Sequence, residues 1–462
     1  MSSTEFDLII IGSGSGNALI GPEHDDKRVA VVESGAFGGT CLNVGCIPTK
    51  MFVYAAEVAR SVATADRYGI QASLDHVRWA DIRDRIFGRI DPISEGGRDY
   101  RRDGENTTLY AGRAEFTGPN TLLVRDLPDG SSAQLSAPTI VIATGSSPVL
   151  PPVATDTDVD VHTSDTVMRL ATLPGSMLIV GGGYISAEFA HVFADLGVKV
   201  TVVHRGETLL REQDEEISSR FTTAAEQQWD VRLGTEVEAL RTGDHDSQGI
   251  VAQLSDGTLT HADVVLFATG RAPNSGLGLE AAGIDVRDDG RVAVDEFGRT
   301  SAAGVWALGD VSSPYQLKHV ANAEARVVAH NLAHPDDLRA LPHDVVPAAV
   351  FTQPQIAAVG MTEAHAREAG HDVTVKVQAY GDTAYGWAME DNNSVLKLVG
   401  DRSTGLLLGA HFLGPQASSL IQPLVQAMSY GLPAADLARG QYWIHPALAE
   451  VVENALLGLD FD

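Results

Sequence analysis

An apolar strand running directly into a glycine-rich turn occurs twice in this chain, and that pairing constrains the fold more than any other feature. In "FDLIIIGSGSGN", residues 6 to 17, Gly12 and Gly14 fill the first two positions of G-x-G-x-x-G, the third holds Asn17, and Gly16 stands beside it. Alone the match is weak, because glycine turns are common. A second strand, "RVAVVES", ends on Glu33, 21 residues beyond Gly12, where a carboxylate accepts the ribose hydroxyls of an adenosine. Strand, turn and acid together predict a doubly wound dinucleotide site, with a helix cut short by Pro22.

The pattern returns in "MLIVGGGYISAEFAHVFADLGVKVTVVHR", residues 177 to 205. Gly181 and Gly183 stand before Ser186, and a full amphipathic helix follows. The next strand ends at His204 and Arg205 in place of an acid. Basic residues there suit the 2′-phosphate of NADP, with Arg211 as a second candidate. Arginines on an acidic protein can also be merely solvated; beside the glycine turn, NADPH is the better reading. "PTIVIATGSSP" (138 to 148) and "DVVLFATGRAPN" (263 to 274) are each a buried strand followed by A-T-G. They resemble the end of a dinucleotide-binding domain in flavoprotein reductases and predict a chain that leaves one nucleotide domain and returns to it. "GVWALGDV" (304 to 311) then places Asp310 after another apolar strand, where an acid can bind the ribityl or phosphate region of FAD through hydroxyls while a helix N-terminus handles the charge. Two sites imply two cofactors.

Both cysteines of the chain, Cys41 and Cys46, lie in "GGTCLNVGCIPTK", residues 38 to 50. A chain of 462 residues buries an ample core without a staple, and a bridge closing so short a loop constrains little of the unfolded ensemble. No His lies near enough for a local zinc shell, so no metal is expected. Redox chemistry is left. In an ideal helix residues i and i+5 have Cα atoms roughly 8.7 Å apart, whereas a disulfide tolerates about 7 Å. A bridge here therefore requires distorted backbone, which Gly45 and Pro48 can supply, and a strained bridge is easily reduced.

Composition sets the outer bounds. A hydrophobic share of 44% and a charged share of 20% are ordinary for a globular protein. The net charge of −28, from 61 acids against 33 bases, repels nucleic acid and anionic membranes, so neither is expected as a partner. The start of the chain reads as neither signal peptide nor membrane span, and with two cysteines a reducing cytoplasm is the expected location.

In their order along nearly the whole chain, the cysteine motif, both glycine fingerprints, both A-T-G segments, "ALGD" and the C-terminal "HPALAE" resemble the pyridine nucleotide-disulfide oxidoreductases, the family of glutathione reductase and dihydrolipoamide dehydrogenase. The resemblance implies an α/β fold with two doubly wound nucleotide-binding domains, for FAD (1–152) and NADPH (153–272). A central segment (273–342) would return to the FAD domain, and an α+β dimer-interface domain (343–462) would follow, where a βαβ-like rhythm is expected after "HDVVPAAVF". FAD contacts are expected from Gly12, Gly14, Gly16, Glu33, Thr40 and Lys50, and from Ala114, Thr144, Gly145 and Asp310. NADPH contacts are expected from Gly181, Gly183, Tyr184, Ile185 and Glu188, and from Arg205, Arg211 and Gly270, with Tyr184 covering the nicotinamide pocket.

The resemblance also assigns roles. Cys46 is expected to face the flavin and Cys41 to attack the substrate disulfide, with a helix beginning near Pro48 lowering the thiol pKa. Lys50 is expected to pair with Glu188 by the flavin, and His445 with Glu450 to form the acid–base dyad. That dyad would be shared across a homodimer. No cysteine follows Cys46, which argues against a protein-disulfide substrate. Residues 12 to 26 carry no Arg or Lys, and Glu23, Asp25 and Asp26 would repel glutathione disulfide if they faced the pocket. A small disulfide is expected, mycothione with its uncharged sugar and inositol groups in particular. A dihydrolipoamide dehydrogenase component, a glutathione-type reductase and a flavin-bound scaffold without turnover remain alternatives. NADPH preference argues against the first, and intact Cys41, Cys46, Lys50 and His445 against the last.

Overall fold

The computed structural model describes residues 3–243 and 249–461. The apolar runs that precede the glycine turns are each the centre of a parallel sheet. Leu8–Ile11, buried along its whole length, pairs in parallel with Val29–Glu33 on one side and Thr139–Ile142 on the other. Thr107–Ala111 and Val305–Ala307 close the edges of this five-stranded sheet. Ser176–Val180 sits likewise in a second five-stranded parallel sheet, between Lys199–Val203 and Val264–Phe267. Strands buried on both faces must read as continuous apolar runs, which is why both were visible in the sequence.

The first sheet takes its edge strand Val305–Ala307 from beyond the second sheet, so the chain does leave and return. The two crossings, Ser146–Pro148 outbound and Arg271–Pro273 inbound, pair with each other as an antiparallel ribbon. Buried Arg271 fastens them: its Nη2 donates to Ser146 O at 2.7 Å, its Nε to Ser146 Oγ at 3.0 Å, and its Nη1 to Asp165 at 3.0 Å.

The C-terminal region departs from the expected βαβ-like rhythm. Its five strands, in the order Ala348–Val350, Ile356–Gly360, Leu407–Leu413, Val395–Asp401, Val373–Ala379, pair antiparallel throughout. Only the first and last connections, 351–355 and 402–406, are short; residues 380–394 between Val373–Ala379 and Val395–Asp401 hold a helical segment, and Ile356–Gly360 pairs with Leu407–Leu413 from far along the chain. Helices Gln422–Tyr430 and Ala449–Leu457 cover this sheet through Leu424, Ala427, Val451, Val452 and Ala455, all essentially fully buried.

Candidate active site

Each glycine turn is shaped by the A-T-G segment of its own sheet. Gly12 has φ +105°, and a Cβ there would lie 2.3 Å from the carbonyl oxygen of Ala143. Gly181 has φ +134°, and its Cβ would lie 2.3 Å from the carbonyl oxygen of Ala268. Only glycine meets both conditions. Gly16 takes the packing role of the third fingerprint glycine, since a Cβ would fall 2.7 Å from Ala143 Cβ and 2.9 Å from Ile10 Cγ2. This frees Asn17 for another use. The helix after the first turn is shorter than Pro22 alone requires: only a 3-10 segment, Ser15–Leu19, forms. Glu33 accepts from Ser13 N at 2.9 Å, Ser13 Oγ at 2.7 Å and Gly35 N at 2.8 Å. The carboxylate is thereby fixed at the turn. Ser13 went unnoticed in the sequence because a serine in a glycine turn reads as filler.

Gly38 and Gly39, both with positive φ, fold the cysteine motif onto the same turn, where a Cβ on Gly39 would meet Gly14 Cα at 2.8 Å. A short helix Gly39–Asn43 carries Thr40 and Cys41. The backbone then breaks at Val44 and Gly45, and the helix Cys46–Ala63 begins at Cys46 itself, two residues earlier than Pro48 implies. The expected distortion between the cysteines is therefore present. The sulfurs are both free thiols here, and they share a hydrogen bond that stabilises an anion on Cys46. That bond and the nearby Lys50 ammonium overcome burial and bring the Cys46 pKa down to about 7. Cys41, the donor in that bond and partly buried, is pushed well above the ordinary thiol range.

Lys50 and Glu188 form an ion pair between the cysteine helix and the helix Tyr184–Asp195 that follows the second glycine turn. The other Glu188 oxygen accepts from Phe351 N at 2.9 Å, and Lys50 Nζ lies 4.5 Å from the Phe351 ring centroid. One carboxylate thus joins three distant stretches of chain. Phe351 acts through its amide and carries no sequence signal.

A continuous cleft of about 1410 Å³ runs past these groups. Its walls include Gly12, Gly14, Glu33, Thr40, Cys41, Cys46 and Lys50, then Ala114, Thr144, Gly145 and Asp310, and finally Tyr184, Ile185 and Glu188. Asp310 accepts from Ser146 Oγ at 2.7 Å, and burial pushes its carboxyl up. Tyr184 is 43% exposed at the first turn of its helix. The volume, the cradle that no Cβ can enter and the fixed acid at the strand end fit a dinucleotide flavin. Gly16 lies behind the first turn, and Gly181, Gly183 and Gly270 shape the second; none of these four forms the cleft wall.

Arg205 and Arg211 are also outside the cleft. Both are exposed, and Arg211 pairs with Glu212 at 3.0 Å. The loop that carries them folds over the second turn through Leu210 N to Gly182 O at 2.8 Å. His204 packs its ring against Gly182, and burial together with Arg211 and Arg205 lowers its pKa. The two arginines therefore gather on one side of the turn.

His445 and Glu450 meet, with Nδ1 to Oε1 at 2.7 Å, but they are far from joining the rest: His445 is exposed and the dyad does not line the cleft. His445 lies beside exposed Tyr442 and Ile444. Glu23, Asp25 and Asp26 are exposed and do not line the cleft. Among the described residues, no cluster of His, Cys, Asp and Glu could hold a metal, and no helix is long and apolar enough to cross a membrane.

Residues 6–325 match the pyridine nucleotide-disulphide oxidoreductase family and residues 346–456 match its dimerisation domain. The chain belongs to this family and is an NADPH-dependent flavoprotein disulfide reductase with FAD and NADPH as its cofactors. It is 56% identical over 464 residues to mycothione reductase from Mycobacterium tuberculosis, covering 98% of this chain and 99% of that one. Glutathione reductase from Burkholderia cepacia is 35% identical, with 97% and 98% covered. Among solved structures, an HOCl-induced flavoprotein disulfide reductase from Escherichia coli superposes with a TM-score of 0.86 at 29% identity, covering 98% of this chain and 99% of that one. The dimerisation domain and these relatives support a homodimer acting on a small disulfide.

Proposed function

We propose that the chain reduces mycothione, using Cys41 and Cys46 of one subunit and His445 of the partner subunit. The reading of the substrate rests on the 56% identity to mycothione reductase across essentially the whole length of both chains. The reading of the shared site rests on the placement of the dyad. The thiol pair and His445 lie on different surfaces of one chain, and His319, the histidine of the cleft wall, is committed to Pro347 O at 2.8 Å. The base for the thiols must therefore come from elsewhere, and the exposed dyad is already oriented to serve.

FAD, held against Gly12, Gly14, Glu33, Lys50 and Asp310 of the cleft, would supply two-electron transfer between NADPH and the cysteine pair. The chain's own residues do the rest. Cys46 holds the negative charge, supported by Cys41, Lys50 and the helix start. Cys41 holds its proton tightly, so its attack on the substrate requires a base, and His445 of the partner subunit accepts that proton. The new bond joins Cys41 to one half of the substrate. The other half leaves as a thiolate and takes the proton back from the imidazolium, which Glu450 holds in its tautomer. The Cys46 thiolate then attacks Cys41 sulfur, the Cys41–substrate bond breaks, the second half departs as a thiolate that takes its proton from solvent, and the bridge re-forms. Two thiols are oxidised and one disulfide is reduced.

Steady-state turnover with NADPH against mycothione, glutathione disulfide and lipoamide tests the substrate, and mycothione is expected to have the highest kcat/KM. The shared site is tested by mixing. Homodimers of Cys46→Ser and of His445→Ala are each expected to be nearly inactive. Coexpressed heterodimers contain one doubly damaged site and one intact site, so activity should reappear. Verified heterodimers without activity would place His445 in its own chain's site.

A further inference from the structure

The two glycine turns are followed by very different helices. After Gly181 and Gly183 comes the 12-residue helix Tyr184–Asp195, whose aligned peptides direct partial positive charge at a bound phosphate. After Gly12 and Gly14 comes only the five-residue 3-10 segment Ser15–Leu19, without a side-chain cap. So short a segment carries little of that field, and the protein around it has a net charge of −28. A pyrophosphate at the first turn would be poorly compensated by backbone alone.

Two cations grip this turn from opposite sides. Lys318, the first residue of the helix Lys318–Ala333, lines the cleft and donates from Nζ to Ser15 Oγ at 2.8 Å. Arg101, near the end of the long helix Trp79–Arg102, donates from Nε to Asn17 Oδ1 at 2.7 Å and from Nη2 to Asn17 O at 3.3 Å. Arg101 is only 9% exposed. No carboxylate forms an ion pair with it among the described residues, whereas the other buried cations, Lys397 and Arg271, each have one. Burial of a guanidinium without a counter-ion is costly, and burial does lower its pKa. An anion delivered by a ligand at the turn would relieve that cost.

We infer that Arg101 and Lys318 supply to the FAD pyrophosphate the positive charge that a full helix supplies at the second site, Lys318 from the cleft wall and Arg101 from behind the turn through Asn17. Arg101 is thus a positioning residue that also contributes field. Asn17, at the place where the fingerprint has its third glycine, is the connector, and Gly16 makes this possible by taking over the close packing on Ala143 and Ile10. The inference holds whichever disulfide is reduced and whichever subunit supplies the base.

The test is the affinity of FAD for the purified dimer, measured by flavin release and rebinding at several salt concentrations, for wild type, Arg101→Met, Arg101→Lys and Lys318→Met. Each Met variant is expected to bind FAD about tenfold or more weakly, Lys318→Met because a charge-assisted contact is lost and Arg101→Met because Asn17 loses its hold and the turn loses the field of the guanidinium. The loss of affinity with added salt should be shallower in the Met variants than in wild type. Arg101→Lys should recover most of the affinity, and NADPH binding at the second site should be unchanged in all three. Wild-type affinity and salt dependence in Lys318→Met would overturn the inference. So would an Arg101→Met variant that weakens FAD binding with its salt dependence intact, since that would mark Arg101 as a packing residue. If Arg101→Met does not fold, Lys318→Met and Arg101→Lys decide the question.

Discussion

The two cysteines differ in kind although they lie five residues apart along one motif. Cys46 begins a helix, receives a hydrogen bond from Cys41 and lies near Lys50, and its pKa is brought down to about 7. The thiolate is therefore present above pH 7 and lost as pH falls through that value. Titration of the reduced enzyme by thiolate absorbance should show a midpoint near this pH, and Lys50→Met should move it upward. Cys41→Ser should leave a Cys46 thiolate beside oxidised flavin and produce a long-wavelength charge-transfer band that Cys46→Ser lacks; the opposite pattern would reverse the thiol roles. At the second site, replacing Arg205 and Arg211 by Gln should weaken NADPH far more than NADH, by roughly 1.5–3 kcal/mol per contact to the 2′-phosphate. Equal losses for both cofactors would remove the arginines from phosphate recognition. Both are exposed, so fold stability should be unaffected in either case.

Elements tell which parts of this protein could be read from sequence. A strand entering a glycine turn is a local requirement: Gly12 and Gly181 must adopt positive φ and must admit a carbonyl, so the pattern survives in a short stretch of chain. The same holds for the broken backbone between Cys41 and Cys46. Contacts that depend on distant partners left no such trace. Glu188 is visible as the partner of Lys50 only through resemblance, and nothing marks the Phe351 amide. The hold of Arg101 on Asn17 crosses 84 residues, and the antiparallel C-terminal sheet joins strands as distant as Ile356–Gly360 and Leu407–Leu413, a pairing that an apolar pattern does not report. The twin design of the turns gives a separable pair of outcomes. Gly12→Ala should abolish FAD retention. Gly181→Ala should retain bound flavin but fail to be reduced by NADPH. Loss of flavin from both variants would mean that the two sheets fold as one cooperative unit.

At the scale of the molecule, a buried ionic cluster ties the second nucleotide domain to the C-terminal sheet. Asp214 receives Lys397 Nζ at 2.8 Å and Glu363 N at 3.1 Å, and Lys397 also meets Glu363 at 2.9 Å. Burial pushes Asp214 up, but these donors more than offset it and hold the carboxyl below its ordinary range; the two carboxylates likewise raise Lys397 despite burial. The carboxylate contribution is therefore full above the ordinary Asp range and disappears as pH falls through the depressed folded value, while that of Lys397 disappears only as pH rises through its elevated one. Lys397→Met should cost about 3 kcal/mol by leaving Asp214 buried and unpaired, seen as a lower unfolding midpoint near neutral pH and a smaller difference from wild type in strong acid. The dyad at His445 has a different consequence. If His445 serves the partner's thiols as proposed, a solitary chain has the reactive sulfurs but turns its base outward, and could load both cofactors without being able to spend NADPH on a substrate. Assembly would then be the step that arms the enzyme, and specific activity is expected to decline on dilution while bound flavin persists; undiminished activity of the dilute monomer would contradict the shared site.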